Sequence, residues 1–135
     1  MAHKLTLRRI PEKFAICKLP PENSIPPWAI SGQFWSVART PTELSVVCGQ
    51  SNLPPGFEAE RDWRALQVVG PLPFEELGVL SSLAVPLADA GLSIFAISTF
   101  ETDLILVREQ SFEAACQILV KEGHIILEAW NVKNK

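Results

Sequence analysis

Two short stretches carry residue types suited to a small charged molecule. The first is Gly78-Val79-Leu80, a glycine and two aliphatics opening what reads as a helix. Free backbone N–H groups at a helix start attract carboxylates, and glycine permits close approach. The second is Ser98-Thr99-Phe100-Glu101-Thr102-Asp103, a turn carrying hydroxyls and carboxylates. Asp103 can hold an ammonium group by a charge-assisted bond, with Ser98 and Thr102 adding neutral ones. Glu101, at the tip, reads as a solvated turn residue. On local chemistry alone, both stretches also fit an ordinary helix N-terminus and an ordinary hairpin turn. Glu43 with Thr40 and Thr42 forms a second turn of similar make-up, for which a surface hairpin is the favoured reading.

Catalytic patterns find little support. His3 lies near the terminus, and His124 follows Gly123 with no acid or cysteine close by in sequence. The chain holds no Gly-x-Ser-x-Gly, no phosphate loop, no His-Glu-x-x-His and no Cys-x-x-Cys. Glu75-Glu76 is a carboxylate pair whose place in a first helical turn is explained by the helix dipole. Cys17, Cys48 and Cys116 form no metal or redox spacing and read as reduced thiols of a cytoplasmic protein. The expectation is therefore no enzyme, no catalytic residue, no metal and no cofactor.

The elements that must position these stretches follow from 135 residues that are 47% hydrophobic and 20% charged, enough apolar material for a core. Net charge is −3. Up to Trp63 the chain carries seven basic and six acidic residues, and beyond it five and nine. Neither part has the positive charge for a phosphate backbone, and no apolar run approaches membrane-spanning length, so neither nucleic acid nor membrane is an expected partner.

Eight of the eleven prolines lie between Pro11 and Pro55, which leaves no room for long helices there. Strand-length runs remain at Leu5–Ile10, Phe14–Leu19, Phe34–Arg39 and Glu43–Cys48. Later, Ala65–Val69 reads as a strand and Pro73–Ala90 as a helix closed by Gly91, with Pro86 expected to bend it or shift its start. Leu92–Ser98 and Asp103–Arg108 read as a hairpin. Ser111–Glu122 reads as a second helix, capped by Ser111 and ended by Gly123, and Ile125–Glu128 as a last strand. Residues 65–128 thus spell β-α-β-β-α-β, the split βαβ order of ferredoxin-like folds.

Thr42-Glu43-Leu44 through Gln50-Ser51 recurs sixty positions later as Thr102-Asp103-Leu104 through Gln110-Ser111. The recurrence implies two copies of one small α/β unit, packed side by side, the first with reduced helices. Trp28 and Trp63 fall where that copy lacks helices and read as plugs over its sheet. Trp130 reads as a docking anchor in an otherwise frayed tail.

The run Leu77-Gly78-Val79-Leu80 through Leu87-Ala88-Asp89-Ala90-Gly91-Leu92-Ser93-Ile94 resembles the ACT domain, a ferredoxin-like regulatory module. With Ile97-Ser98-Thr99-Phe100-Glu101-Thr102-Asp103-Leu104-Ile105-Leu106-Val107, it resembles the tandem-ACT subgroup typified by aspartokinase regulatory regions and cytosolic arginine sensors. The resemblance implies an α+β fold of two ACT-like units: a degenerate one over 1–63, a full one over 64–129, and a tail over 130–135. It also implies a regulatory sensor that binds a free amino acid at a domain or subunit interface. The binding residues would be Gly78, Val79, Leu80, Ser98, Thr99, Phe100, Thr102 and Asp103. A homodimer and a regulated enzyme partner follow as expectations, and the alternative is an assembly module of the same fold without a ligand. The first unit lacks the glycine-aliphatic step, so a complete site is expected only in the second.

Overall fold

The computed structural model describes residues 4–72 and 77–128. The expected helix start at Pro73, the Glu75-Glu76 pair, His3, Trp130 and the tail lie outside them. The fold is mixed α/β: seven strands, β1 (Thr6–Leu19), β2 (Ser36–Arg39), β3 (Leu44–Gly49), β4 (Glu60–Val68), β5 (Ile94–Ser98), β6 (Asp103–Arg108) and β7 (Ile125–Leu127), with helices α1 (Val79–Asp89) and α2 (Phe112–Lys121). No helix among the described residues is long and apolar enough to cross a membrane.

The chain forms two compact units that are not contiguous halves. One joins the residues up to Pro11 with those from Arg64 onward; the other is Glu12–Trp63. The reason lies in β1 and β4, each of which lends one end to either unit.

In the first of these units β4 is flanked by β1 and β6, β6 by β5, and β7 pairs in parallel with the start of β1 (Thr6 opposite Ile125, Arg8 opposite Leu127). The four-stranded sheet expected from residues 65–128 therefore takes in a fifth strand, which stands between the first and last of the four. Parallel pairing is never local in sequence, so no turn residue announces it. Strand alternation drives the packing. Leu5 and Leu7, Leu66 and Val68, Ile105 and Val107 all point to one face. There they meet Val79, Leu83 and Leu87 of α1 and Phe112, Ala115, Cys116 and Leu119 of α2.

Two helix details differ from expectation. α1 starts at Val79 rather than at Pro73, with Pro86 inside it. The carbonyl that loses its intrahelical donor is that of Ser82, four residues back, and His124 Nε2 lies 3.1 Å from it. Ser111 stands at the N-cap of α2 but makes no capping hydrogen bond. Both helix ends close as expected. Gly91 and Gly123 adopt φ of 81° and 100°, and the residue after each donates back across the last turn, Leu92 to Leu87 and His124 to Leu119, at 3.0 Å.

In the unit Glu12–Trp63, β3 pairs antiparallel with both β1 (Phe14 opposite Gly49) and β2 (Arg39 opposite Leu44). Where the other unit has helices, this one has single 3₁₀ turns at Pro27–Ile30 and Gln50–Asn52. Its core is Ala15, Cys17, Ala29, Val46, Cys48 and Leu53, with Trp28 and Phe57 against it, edge to face at 5.2 Å. Trp28 thus packs on this core; Trp63, expected beside it as a plug over the sheet, is instead a buried residue of β4 itself.

The two hairpins are built alike, but in a register one residue shorter than the sequence recurrence. Arg39–Leu44 corresponds to Ser98–Asp103. Val46 and Cys48 then match Ile105 and Val107, the residues that enter the two cores. The sixty-residue match instead pairs residues on opposite faces, because a one-residue slip inverts every side chain of a strand.

Candidate functional site

The start of α1 and the turn joining β5 to β6 face each other across an open depression of about 430 Å³. All eight residues singled out from the sequence line it, and Leu72, Leu77, Ser81 and Glu101 line it as well.

Gly78 supplies the backbone bend that begins the helix. Its φ is 80° and ψ 3°, a conformation that side chains disfavour and glycine does not. No side chain caps this end. The N–H groups of Val79, Leu80 and Ser81 precede the first intrahelical donor, Ser82, whose N–H reaches Gly78 O at 3.0 Å. Val79 is buried in the core, so it offers the depression only its main chain. Leu77 and Phe100 are 86% and 77% exposed at the mouth.

Asp103 is aimed by strand alternation. It shares a face with Ile105 and Val107, the helix-covered side, and stands opposite Ser98 in the β5–β6 register. Neither the Asp103 carboxylate nor the Ser98 hydroxyl has a bonding partner among the described residues.

The two threonines have other duties. The Thr99 hydroxyl donates to Thr102 O (3.1 Å) and accepts from Thr102 N–H (3.2 Å), while Thr99 N–H donates to Thr102 O (2.8 Å). The Thr102 hydroxyl donates to Val68 O on β4. Next to it, Leu72 N–H donates to Glu101 O at 2.7 Å. Gly70 makes that approach possible, since a Cβ there would lie 2.9 Å from Glu101 O. The turn is thus fastened to the segment after β4, and the neutral bond expected from Thr102 toward a ligand is committed to Val68. Thr40, in the corresponding turn of the other unit, likewise accepts from the N–H groups of Thr42 and Glu43 at 3.2 Å.

Among the described residues, the charged side chains lining the depression are Glu101 and Asp103, both acidic. One end of the site therefore presents positive backbone dipoles and the other a carboxylate. No group of three or more His, Cys, Asp or Glu among the described residues could hold a metal ion.

Sequence reasoning missed the part His124 plays. It is 4% exposed, its Nδ1 accepts from Leu5 N–H at 3.0 Å, and its Nε2 faces Ser82 O. The proline four residues after Ser82 was the available signal, since it leaves one helix carbonyl in need of a donor.

A family model described as an ACT domain matches residues 58–121, and a second, of an N-terminal domain, matches residues 12–56. Over residues 58–121 the chain belongs to the ACT-domain family. Among particular proteins, it is similar to Atu0741 of Agrobacterium tumefaciens, known from an X-ray crystal structure. The two are 33% identical with a TM-score of 0.90, over 96% of this chain and 97% of that one. The Bos taurus cytosolic arginine sensor for mTORC1 subunit 1 is 33% identical over 107 residues, 71% of this chain and 32% of that protein. The chain thus spans about a third of the length of this relative. The regulatory subunit of aspartate kinase from Thermus flavus is 14% identical with a TM-score of 0.61, over 89% of this chain and 99% of that one, a likeness of fold alone.

Proposed function

We propose that this chain is a non-catalytic regulatory module that binds a free amino acid between the start of α1 and the 98–103 turn. One observation carries the reading: an uncapped helix N-terminus and an unpaired carboxylate line the same depression of about 430 Å³. The ligand's α-carboxylate takes the N–H groups of Val79, Leu80 and Ser81. Its ammonium takes Asp103, with Ser98 beside it. Gly78, Thr99 and Thr102 hold the two walls in position. The name of one relative, a cytosolic arginine sensor, supports the ligand class. Glu101 and Asp103 disfavour an acidic ligand side chain, so arginine and the neutral amino acids come first.

Leu77 and Phe100, exposed at the mouth, support a site that a second copy of the chain completes. Occupancy then favours one packed arrangement over another, and a cytoplasmic partner enzyme reads the shift. The same two side chains also support the alternative, an assembly module with no ligand.

Isothermal titration and thermal shift against the twenty amino acids test the reading. Saturable heat and a raised melting temperature with at least one, with a component weakened about tenfold in Asp103→Asn, support the sensor. A dimer that forms normally while no amino acid gives heat or shift supports the assembly module and ends the sensor reading.

A further inference from the structure

A second, smaller depression of about 230 Å³ lies on the other side of the 98–103 turn, lined by Arg8, Gln67, the backbone from Val68 to Pro71, Glu101 and Thr102. Arg8 alternates with Leu7, and Gln67 with Leu66 and Val68, whose side chains all enter the core under α1 and α2. Arg8 and Gln67 therefore project from the face of the sheet that these helices do not cover. The depression is thus separate from the one at the start of α1, and it shares with it only the Glu101–Thr102 corner.

Of its four polar side chains, Thr102 is committed to Val68 O and the other three are not. Arg8, Gln67 and Glu101 make no side-chain hydrogen bond or ion pair among the described residues. Arg8 is half-buried on a strand flanked by β7 and β4. Arg8 and Glu101 carry opposite charges, line one depression and do not pair with each other. A gap is left between a planar donor fork and a carboxylate, with an amide beside them.

We propose that this depression is a second small-molecule site, which takes an amino-acid zwitterion by its carboxylate on Arg8 and its ammonium on Glu101, with the Gln67 amide bonding either group. Guanidinium–carboxylate pairing is geometrically specific and among the stronger hydrogen-bonded contacts available to a small ligand. Gly70 lines the depression with backbone only. The site stands independently of the one at α1. Because both share the Glu101–Thr102 corner, a ligand in one changes the surroundings of the other.

Nuclear magnetic resonance of the full chain, labelled with nitrogen-15, tests this. The reporters are the Gln67 side-chain amide and the Gly70 backbone amide, and the probes are the twenty amino acids, acetate and methylammonium. At least one amino acid is expected to shift both reporters saturably, and the two half-molecules to shift them weakly or not at all. Arg8→Gln and Glu101→Gln are each expected to weaken that binding about tenfold or more, as befits loss of one charged hydrogen-bond partner. Arg8→Lys retains part of it, and Asp103→Asn leaves it unchanged. No saturable shift with any amino acid overturns the proposal. So does binding unaffected by Arg8→Gln, and so does acetate binding as tightly as any amino acid regardless of Glu101→Gln. The α1 site is read separately, at the Val79–Ser81 amides and through Asp103→Asn, so either site can fail without the other.

Discussion

His124 supplies the hydrogen-bond donor that Pro86 withholds. Pro86 has no N–H for the Ser82 carbonyl, and His124 Nε2 stands 3.1 Å from that oxygen. The opposite ring nitrogen accepts from Leu5 N–H, which assigns the proton to Nε2. One buried imidazole thus ties Leu5, just before β1, to the helix whose N-terminus forms the candidate site. His124→Phe leaves a buried N–H and a buried carbonyl unsatisfied and should lower stability by about 2–4 kcal/mol. Pro86→Ala restores an intrahelical donor to Ser82 O, so it should recover part of that loss in the His124→Phe background. Urea unfolding of the two single variants and the double variant measures the coupling. Strict additivity of the two changes would show that they do not share the Ser82 carbonyl.

Thr102 and Asp103 are neighbours in sequence with separable duties. Thr102→Val removes the hydroxyl that donates to Val68 O and should cost about 1–2 kcal/mol of stability, with any loss of ligand affinity following from a loosened turn. Asp103→Asn removes a carboxylate with no partner among the described residues, so stability should change by less than about 0.5 kcal/mol. Amino-acid affinity should fall about tenfold through loss of a charged contact. Chemical unfolding and calorimetric titration of both variants read the split. Equal effects on both quantities from both variants would contradict this division of labour.

Most of what could be read ahead of the structure was local. The Gly91 and Gly123 caps, the 98–103 turn and the strand alternation of β6 depend on residues close in sequence, and each stands where the pattern placed it. The eight residues chosen for the site converge because they belong to one helix start and one turn, both marked by their own chemistry. Long-range relations left no such mark. The pairing of Thr6–Arg8 with Ile125–Leu127 joins opposite ends of the chain. The recurrence at sixty residues matched letters but not faces, because Leu44 and Leu104 are both buried yet correspond to different positions of their hairpins. The duty of Thr102 could not be read from its type, since a hydroxyl in a turn serves a ligand or a neighbouring carbonyl equally well.

Gly70 keeps the turn at its distance from β4. Its φ is not in the left-handed region, so the requirement is space rather than backbone freedom. A Cβ would meet Glu101 O at 2.9 Å and Leu72 N at 3.1 Å, the two atoms of the bond that fastens the turn. Backbone atoms cannot swing aside as a flexible side chain can. Gly70→Ala should therefore cost about 1–3 kcal/mol, the range for overpacking, and displace the amide resonances of Glu101 and Thr102. Gly56→Ala, where nothing lies within 4 Å of the added carbon but φ is 76°, serves as the comparison for backbone strain alone. Unchanged resonances at Glu101 and Thr102 in Gly70→Ala would mean that the fastening is looser than its geometry.

The three thiols should be silent in the native protein and should make the fold sensitive to alkali. Cys17, Cys48 and Cys116 are all free and buried. Burial pushes each thiol up, Cys48 from the ordinary 9.0 to about 11, with the neighbouring Cys17 adding to the rise. The thiolate is the reactive form, so an aromatic disulfide reagent at pH 8 should label none of the three until urea is added, then all of them. The effect on stability has a definite sign. Below the ordinary value both folded and unfolded chains hold the Cys48 proton, and the fold keeps its full stability. Between pH 9.0 and about 11 the unfolded chain releases that proton first, so stability falls as pH rises. Melting temperatures across that window should drop less steeply in Cys48→Ala than in the unmodified chain. An equal slope in the two, or rapid labelling of Cys17 or Cys48 in the native protein, would show that water reaches the core of the Glu12–Trp63 unit.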